Sequence, residues 1–243
     1  MRIVATAALL SLFGGVAHAA DTDQLSTAVT SNDTTLAGKA LEAGVDVNAD
    51  LGRGRTALIV AAMMNKPVMV RFLLEHGADP NRRADDPTIG NALSAAFVAT
   101  NGVVLTRRGE EDYISPKYND ALTVLRLLAA RKPQFDVLLA RGPTRLSPLM
   151  IAADAGALDA VRILLDNGAS PNFANGGKYT ALDYAADRAP GWSPASAEDR
   201  AEIVRLLLAA GAQPDHKGAD GLTPADRARR SGNAAIVAAL ASR

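Results

Sequence analysis

The chain repeats a two-part hydrophobic pattern: a segment rich in small apolar residues, followed by a segment of larger aliphatic residues. A helix-forming phrase of the type Thr-Ala-Leu-x-x-Ala-Ala has complete or decayed copies that begin at Thr56, Asn91, Ser147, Thr180 and Thr223. A stripe of aliphatic residues follows each complete copy, as at Val161, Leu164 and Leu165. Because three- and four-residue spacing puts these side chains on one helical face, each unit is predicted to be a pair of amphipathic helices.

A glycine closes most of these stripes and sets the length of the unit. Leu41 and Leu74 begin two closely similar endings that lie 33 residues apart, and Gly44, Gly77, Gly168 and Gly211 occupy the same place in four copies. A residue in this position usually adopts a left-handed backbone conformation that ends a helix. No unit of this size can bury its apolar faces alone, so the pattern predicts a stack of repeats.

Two repeats depart from the common spacing between the first phrase and the second stripe. Thr56 to Leu74 and Ser147 to Leu165 are each 18 residues, whereas Asn91 to Leu128 is 37 and Thr180 to Leu208 is 28. The differences predict insertions at about 100–118 and 189–198, both between the two helices of a repeat and therefore on the same edge of the stack. The segment 131–136 also lacks the closing glycine.

These phrases resemble the T-P-L-H-x-A-A and L-L-x-x-G-A-x-x-N signatures of ankyrin repeats, which share the 33-residue period. The resemblance implies an all-α fold, an ankyrin-repeat solenoid of about six helix-turn-helix repeats with β-hairpin fingers, and a function in protein recognition. The repeats are expected at about 20–52, 53–86, 87–142 with insertion 100–118, 143–176, 177–219 with insertion 189–198, and a C-terminal cap at 220–243. The cap is expected to have a polar outer face carrying Arg227, Arg229 and Arg230.

The first 19 residues have the pattern of a secretory signal peptide. Arg2 precedes an almost wholly apolar run from residue 3 to 16, and Ala17 and Ala19 supply small residues before a cut after Ala19. A membrane anchor needs about 20 apolar residues, and a buried first helix is the other alternative. We expect a mature chain of residues 20–243 in the periplasm, with secretion as the alternative and no membrane insertion after cleavage.

Composition removes several classes of function. Lys plus Arg and Asp plus Glu are 26 each, which gives no global positive charge to recruit nucleic acid. The chain has no cysteine, and His76 and His216 are the only histidines beyond the predicted cleavage point. These residues form none of the common hydrolase, metalloprotease or nucleotide-binding motifs. The sequence therefore predicts a non-enzymatic protein with no cofactor and no metal.

The resemblance implies that a partner binds the fingers and the exposed side of each first helix. Carried onto this sequence, it selects Arg53, Arg55, Met63, Met64, Arg82, Arg83, Tyr179, Asp187, Arg188 and His216, to which Trp192 of the second insertion is added. The four arginines could dock an acidic partner, or they could form a solvated rim balanced by nearby aspartates. Met63 and Met64 could contact the partner or pack under the next repeat, and Trp192 could anchor a partner or pack on its own repeat.

The partner itself has no signature in the sequence. The first hypothesis is a module that holds or regulates another exported protein, as an accessory factor or an immunity-type inhibitor, and that is a monomer when unbound. The alternatives are a secreted effector that binds a host protein and a sensor for a small ligand or peptidoglycan.

Overall fold

A computed structural model of the protein describes residues 18–100, 116–141, 144–187 and 195–242. Twelve helices in these ranges form six consecutive pairs, which confirms the predicted solenoid of helix-turn-helix repeats. The first helices of the pairs are α1 (His18–Ser31), α3 (Ala57–Met63), α5 (Ala92–Thr100), α7 (Pro148–Ala155), α9 (Ala181–Ala186) and α11 (Pro224–Arg230). The second helices are α2 (Thr34–Glu42), α4 (Pro67–Glu75), α6 (Pro116–Ala129), α8 (Leu158–Asp166), α10 (Ala197–Ala209) and α12 (Ala234–Ala241).

The five copies of the recurring phrase each begin a first helix by capping it. Thr56 Oγ1 accepts a hydrogen bond from the Ile59 amide, and Asn91 Oδ1 accepts one from the Ser94 amide at 3.0 Å. Ser147 caps α7 in the same way. In the last two repeats an aspartate three residues later reaches back to the cap, so each of these helices starts with a capping box. The caps fix where each repeat begins.

The helices form two layers because each first helix packs against the first helices of adjacent repeats and each second helix against the second helices. Leu164 on α8 and Leu207 on α10 are fully buried in one continuous apolar core that runs through the described repeats. Alanines such as Ala61 and Ala152 are also fully buried and let the first helices approach closely. No helix in the described ranges is long and apolar enough to cross a membrane.

The predicted closing glycines have left-handed backbones, with φ between +84° and +102° at Gly44, Gly77, Gly168 and Gly211. In the third repeat this place is taken by Lys132, whose φ is +48°. The sequence spacing aligns Leu128 with Leu165. The structure aligns it with Leu164 instead, because Leu128 and Leu164 are both fully buried. The register of α6 is therefore one residue away from the sequence alignment, and the additional residue lies in the connection before it.

We call the segment between the second helix of one repeat and the first helix of the next a finger. The five fingers are residues 43–56, 76–91, 130–147, 167–180 and 210–223. Within the described residues only the third contains strands, β1 (Leu139–Arg141) and β2 (Thr144–Leu146), which pair antiparallel with Leu139 opposite Leu146. The other fingers turn through backbone hydrogen bonds, such as that from the Leu51 amide to the Arg55 carbonyl at 2.8 Å. The expected β-hairpin is thus confined to the longest finger.

The predicted insertions fall mostly outside the described residues, at 101–115 and 188–194. In the chain, the first gap lies between α5 and α6 and the second between α9 and α10. Tyr118, assigned to the first insertion by spacing, belongs to α6 and is buried. Glu198, assigned to the second insertion, lies in the first turn of α10. The signal-peptide prediction rests on residues of which 1–17 lie outside the described ranges, and α1 begins at His18.

Candidate partner-binding surface

Asparagines at the ends of the first, second and fourth repeats hold their fingers against the next ones. Asn48 Oδ1 accepts the Asp79 amide at 2.8 Å, and Asn81 Oδ1 accepts the Gln134 amide at 2.7 Å. Asn172 repeats the contact two fingers further along, with the Gln213 amide at 2.9 Å. The asparagine of the repeat signature therefore joins three of the fingers to the next one, and it positions the surface at their tips.

Asp136 occupies the asparagine position of the third finger. Its carboxylate accepts a hydrogen bond from the Ser170 backbone, which preserves the contact with the next finger. Desolvation by its surroundings raises the pKa of this carboxyl above its usual value, and the Ser170 hydrogen bond opposes that shift only in part. Asp136 thus keeps the geometry of the asparagine contacts while adding a charge that its environment disfavours.

The predicted arginine group lies on two adjacent fingers that are bonded to each other. The Asp85 amide donates to the Arg53 carbonyl at 3.0 Å, which places the two finger tips side by side. The side chains of Arg53, Arg82 and Arg83 are exposed, while Arg55 is half-buried and its Nε donates to Gly52 at 3.0 Å. The structure therefore brings all four predicted arginines to one end of the array.

Two aspartates of these fingers, Asp50 and Asp86, accept hydrogen bonds from nearby residues. Asp50 Oδ1 accepts the Gly52 amide at 2.7 Å. Asp86 Oδ1 accepts the amide of Thr88 at 2.8 Å and its hydroxyl at 2.6 Å. These hydrogen bonds from Thr88 are the main reason why the pKa of Asp86 is lowered, and the charges of Arg53 and Arg55 contribute less. These two carboxylates stabilise local turns, whereas the side chains of Arg53, Arg82 and Arg83 are exposed.

Met63 and Met64 end α3 on the side where α3 turns into α4. Met63 is half-buried against the core and Met64 is 41% exposed. Val68, in the first turn of α4, is 58% exposed. Together Met64 and Val68 give a small apolar contact area at this turn, on the edge that carries the two predicted insertions.

Tyr179 lies where the fourth finger meets the fifth. Its ring is half-buried and packs so closely that a Cβ on Gly177 or Gly218 would approach it within 2.7 and 2.3 Å. The Arg227 guanidinium lies over the ring at 4.7 Å, and the ring of Tyr184 meets its edge at 6.3 Å between centroids. The aromatic face that was predicted to meet a partner is therefore in contact with the fifth finger and the last repeat.

Arg227 was expected on the polar outer face of the last repeat, and the structure buries it instead. The expectation placed it outward, but its side chain is 5% exposed and points back into the fifth repeat. Its Nε donates to Asp183 at 3.1 Å, and its Nη2 donates to Asp220 at 2.6 Å. Desolvation opposes the positive charge, and the two carboxylates outweigh it, so the pKa of Arg227 is raised. This cluster fastens the last repeat to the array, while Arg229 and Arg230 are exposed as expected.

The remaining predicted residues of the last two repeats are spread over the surface. Asp187 is exposed at the end of α9 and accepts a hydrogen bond from Arg230 at 2.7 Å. His216 is half-buried in the fifth finger, where its Nε2 donates to the Lys178 carbonyl at 2.6 Å. Arg188 and Trp192 lie outside the described residues. No group of three or more His, Asp or Glu side chains in the described ranges could hold a metal ion.

Sequence reasoning missed a pocket at the edge where the insertions leave the stack. A cavity of about 240 Å³ lies between the starts of α6, α8 and α10. Its lining residues are Tyr118, Gly156, Leu158, Asp159, Arg162 and Asp199. The Tyr118 hydroxyl donates to Asp159 Oδ2 across the pocket. The positions of both insertions in the period could have indicated this edge, but the pocket depends on three repeats packing together.

Comparison with known proteins supports the repeat assignment. Ankyrin-repeat family models match residues 53–85 and 138–185. The putative ankyrin repeat protein YahD of Escherichia coli is 26% identical over 200 residues, covering 79% of this chain and 81% of YahD. The mitochondrial disaggregase of Bos taurus is 30% identical over 158 residues, covering 65% of this chain. The chain spans only about a fifth (20%) of that relative's length.

Solved structures show the same fold over nearly the whole chain. An ankyrin repeat domain from Acinetobacter baumannii has a TM-score of 0.69 at 25% identity and covers 89% of this chain and 95% of its own. A chain in the complex of the endopeptidase Bd0816 from Bdellovibrio bacteriovorus with the immunity protein Bd3460 has a TM-score of 0.64 at 24% identity. That match covers 90% of this chain and 97% of the other.

Proposed function

With the ankyrin-repeat fold as the premise, we propose that this protein is a non-enzymatic binding module of the periplasm that holds or regulates another exported protein. The observation that carries the proposal is the finger surface: adjacent fingers are locked to each other, and exposed arginines extend from two of them. A rigid row of fingers loses little conformational entropy on docking, which favours recognition of a protein surface.

Two further points support an accessory or inhibitory role over catalysis. The pKa shifts in the described residues have structural causes: helix caps, finger contacts, the Arg227 cluster, burial of Tyr184, and the pairs that Arg205 forms with Glu198 and Glu202. The similarity to a chain in the complex of an endopeptidase with an immunity protein supports a role in which this fold is paired with another protein. Export is supported by the apolar run from residue 3 to 16 and the small residues before the predicted cut.

Affinity capture tests the proposal. The full gene is expressed in its source cell with a C-terminal tag, and the exported protein is isolated with its cross-linked partners. We expect an N-terminus at Ala20, a periplasmic location and a stoichiometric exported partner. The same capture with Arg53, Arg82 and Arg83 changed to glutamate should lose that partner. An intact Met1 terminus would contradict the export, and an unaltered partner yield from the variant would contradict the finger surface.

A further inference from the structure

The second helices of the third and fifth repeats begin earlier than the second helix between them. Leu128, Leu164 and Leu207 are the corresponding fully buried leucines of α6, α8 and α10. α8 begins at residue 158, six residues before its leucine, whereas α6 begins at residue 116, twelve before, and α10 at residue 197, ten before. At about 1.5 Å per residue, α6 and α10 extend about 9 and 6 Å beyond the start of α8. The space above the start of α8 is therefore a notch between two helical walls.

The notch contains a cavity of about 240 Å³. Tyr118 of α6 and Asp199 of α10 line its walls, and both precede the level at which α8 begins. The floor includes Gly156, Asp159 and Arg162, from the short connection into α8 and its first turns. At about 30 Å³ for each water, the cavity has the volume of about eight waters. This volume suits a molecule as small as an amino acid or a dipeptide.

The lining of the notch carries both signs of charge. Asp159 and Asp199 supply two carboxylates, and Arg162 supplies one guanidinium group. The segments that surround the notch contain six acidic and four basic residues; they are 116–120, 154–162 and 195–205. The three helix N-termini each add about half a positive charge, so the sum is close to zero. A ligand with one charge meets both signs here, whereas a zwitterion can match each sign with its opposite.

The charged groups are oriented by the two walls. Tyr118 is buried, and its hydroxyl donates to Asp159 Oδ2. Asp199 Oδ2 accepts the Ser196 amide at 3.3 Å, as part of the capping box of α10. A carboxylate has about four acceptor sites on its two oxygens, so these hydrogen bonds leave capacity for a ligand. Arg162 is exposed and forms no ion pair with the residues that the structure describes.

We propose that the notch is a binding site for a small zwitterion, an amino acid or a dipeptide. Asp159 and Asp199 accept hydrogen bonds from its ammonium group, and Arg162 donates to its carboxylate. Charge-assisted hydrogen bonds of this kind are stronger than those between neutral groups. The notch lies at the starts of the second helices, whereas the fingers follow their ends. The site is thus separate from the finger surface and adds a small-molecule ligand to the proposed protein-binding function.

Isothermal titration calorimetry with three related ligands tests the charge requirement. The ligands are L-alanyl-L-alanine, its N-acetyl derivative, which lacks the positive charge, and its C-terminal amide, which lacks the negative charge. The protein is isolated from its source cell with a C-terminal tag. The site variants are Asp159→Asn, which keeps an acceptor for the Tyr118 hydroxyl, and Arg162→Gln. The matched control is Arg71→Gln/Asp166→Asn, which changes one exposed arginine and one exposed aspartate on second helices outside the cavity lining.

We expect the dipeptide to bind and each blocked derivative to bind at least about threefold more weakly, as expected for an exposed charge pair. Arg162→Gln should weaken the dipeptide by a similar factor and leave the affinity for the amide unchanged, because the amide has no carboxylate. Asp159→Asn should weaken the dipeptide and leave the affinity for the N-acetyl derivative unchanged. The control should bind the dipeptide as the natural protein does.

Three results would each overturn the inference. They are no binding heat at about 10 mM dipeptide, where a millimolar site is nearly saturated, equal affinity for all three ligands, and a loss in the control as large as in the site variants. The comparison of the three ligands on the natural protein remains decisive if a site variant does not fold. The finger surface is tested by affinity capture and does not depend on this outcome.

Discussion

Replacing Arg227 by methionine should detach the last repeat from the array. The arginine is 5% exposed and neutralises Asp183, which is 2% exposed, across a distance of 3.1 Å. The substitution keeps an apolar stem of similar length but leaves the Asp183 carboxylate buried without its cation. Removing one partner of a buried ion pair costs about 3–5 kcal/mol, because the remaining charge is no longer compensated.

The size of this cost relative to the last repeat decides how the protein responds. Folded domains have net stabilities of about 0.05–0.15 kcal/mol per residue, so a repeat of about 24 residues contributes about 1–4 kcal/mol. The loss at Arg227 matches or exceeds that contribution. Because each repeat of an array contacts only its neighbours, the last repeat should unfold before the others. Helices α11 and α12, of seven and eight residues, should then be lost first.

Urea denaturation followed by far-ultraviolet circular dichroism measures the effect. The Arg227→Met variant should show an early transition of small amplitude and a main transition with a reduced slope, since less surface remains to be exposed. Adding Asp183→Asn should restore most of the loss: an asparagine can accept the hydrogen bonds that Asp183 receives from the amide and hydroxyl of Thr180, at 2.8 and 2.9 Å. The reasoning fails if Arg227→Met unfolds within about 1 kcal/mol of the natural protein, or if the double variant is no better than the single one.

Other predictions concern the core, the fingers and pH. Leu164→Ala should cost about 2–5 kcal/mol because Leu164 is fully buried, whereas Arg82→Ala on an exposed finger should stay within about 0.5 kcal/mol; equal urea midpoints would contradict the repeat packing. Lys132→Gly should stabilise the protein by about 1 kcal/mol, because φ at this position is +48° and the side chain is exposed, and a lower thermal midpoint would refute this. Asp136→Asn should be more stable than the natural protein at pH 7. Folding raises the pKa of Asp136 above the unfolded value of about 4. Asp136 therefore stabilises the fold below about pH 4, and this stabilisation is lost as the pH rises through the pKa of the folded state. The advantage of the variant should therefore vanish at pH 3.5, and a constant difference across this range would argue against desolvation. The pKa of Asp226 shifts in the opposite direction: it is lowered, mainly by hydrogen bonds from Thr223. The stability that Asp226 contributes is therefore lost on acidification. Asp226→Asn should narrow the difference in unfolding free energy between pH 7 and pH 3.

Local patterns in the sequence were sufficient for the repeat architecture. The phrase at Thr56 contains its own helix cap and apolar face, and the closing glycine at Gly77 lies within the same unit. These signals lie within a few residues and recur several times. A degenerate copy can therefore be recognised from the copies that are complete. The helix pairs and the closing glycines follow from this redundancy.

The candidate site was predictable only in part. The exposed arginines Arg53, Arg82 and Arg83 follow from their place in the repeat, because finger tips have few neighbours that could bury them. Tyr179 has the same kind of place, yet its ring is half-buried against Gly218 and Arg227 from the next finger and repeat. The insertion residues Arg188 and Trp192 remain predictions.

The sequence by itself determined the period, the helices and the residues that reach the finger tips, because each depends on contacts within one repeat. Only the tertiary structure decided which polar side chains turn inward between repeats. Arg227 reaches Asp183 across 44 positions of the chain, and Asp136 meets Ser170 across 34. Such contacts depend on how one repeat is stacked on the next, and a one-residue change of register, as in α6, moves every side chain that makes them. Stacking buries apolar surface that has no directional preference, so its register is set by the summed packing of whole faces and not by any local motif.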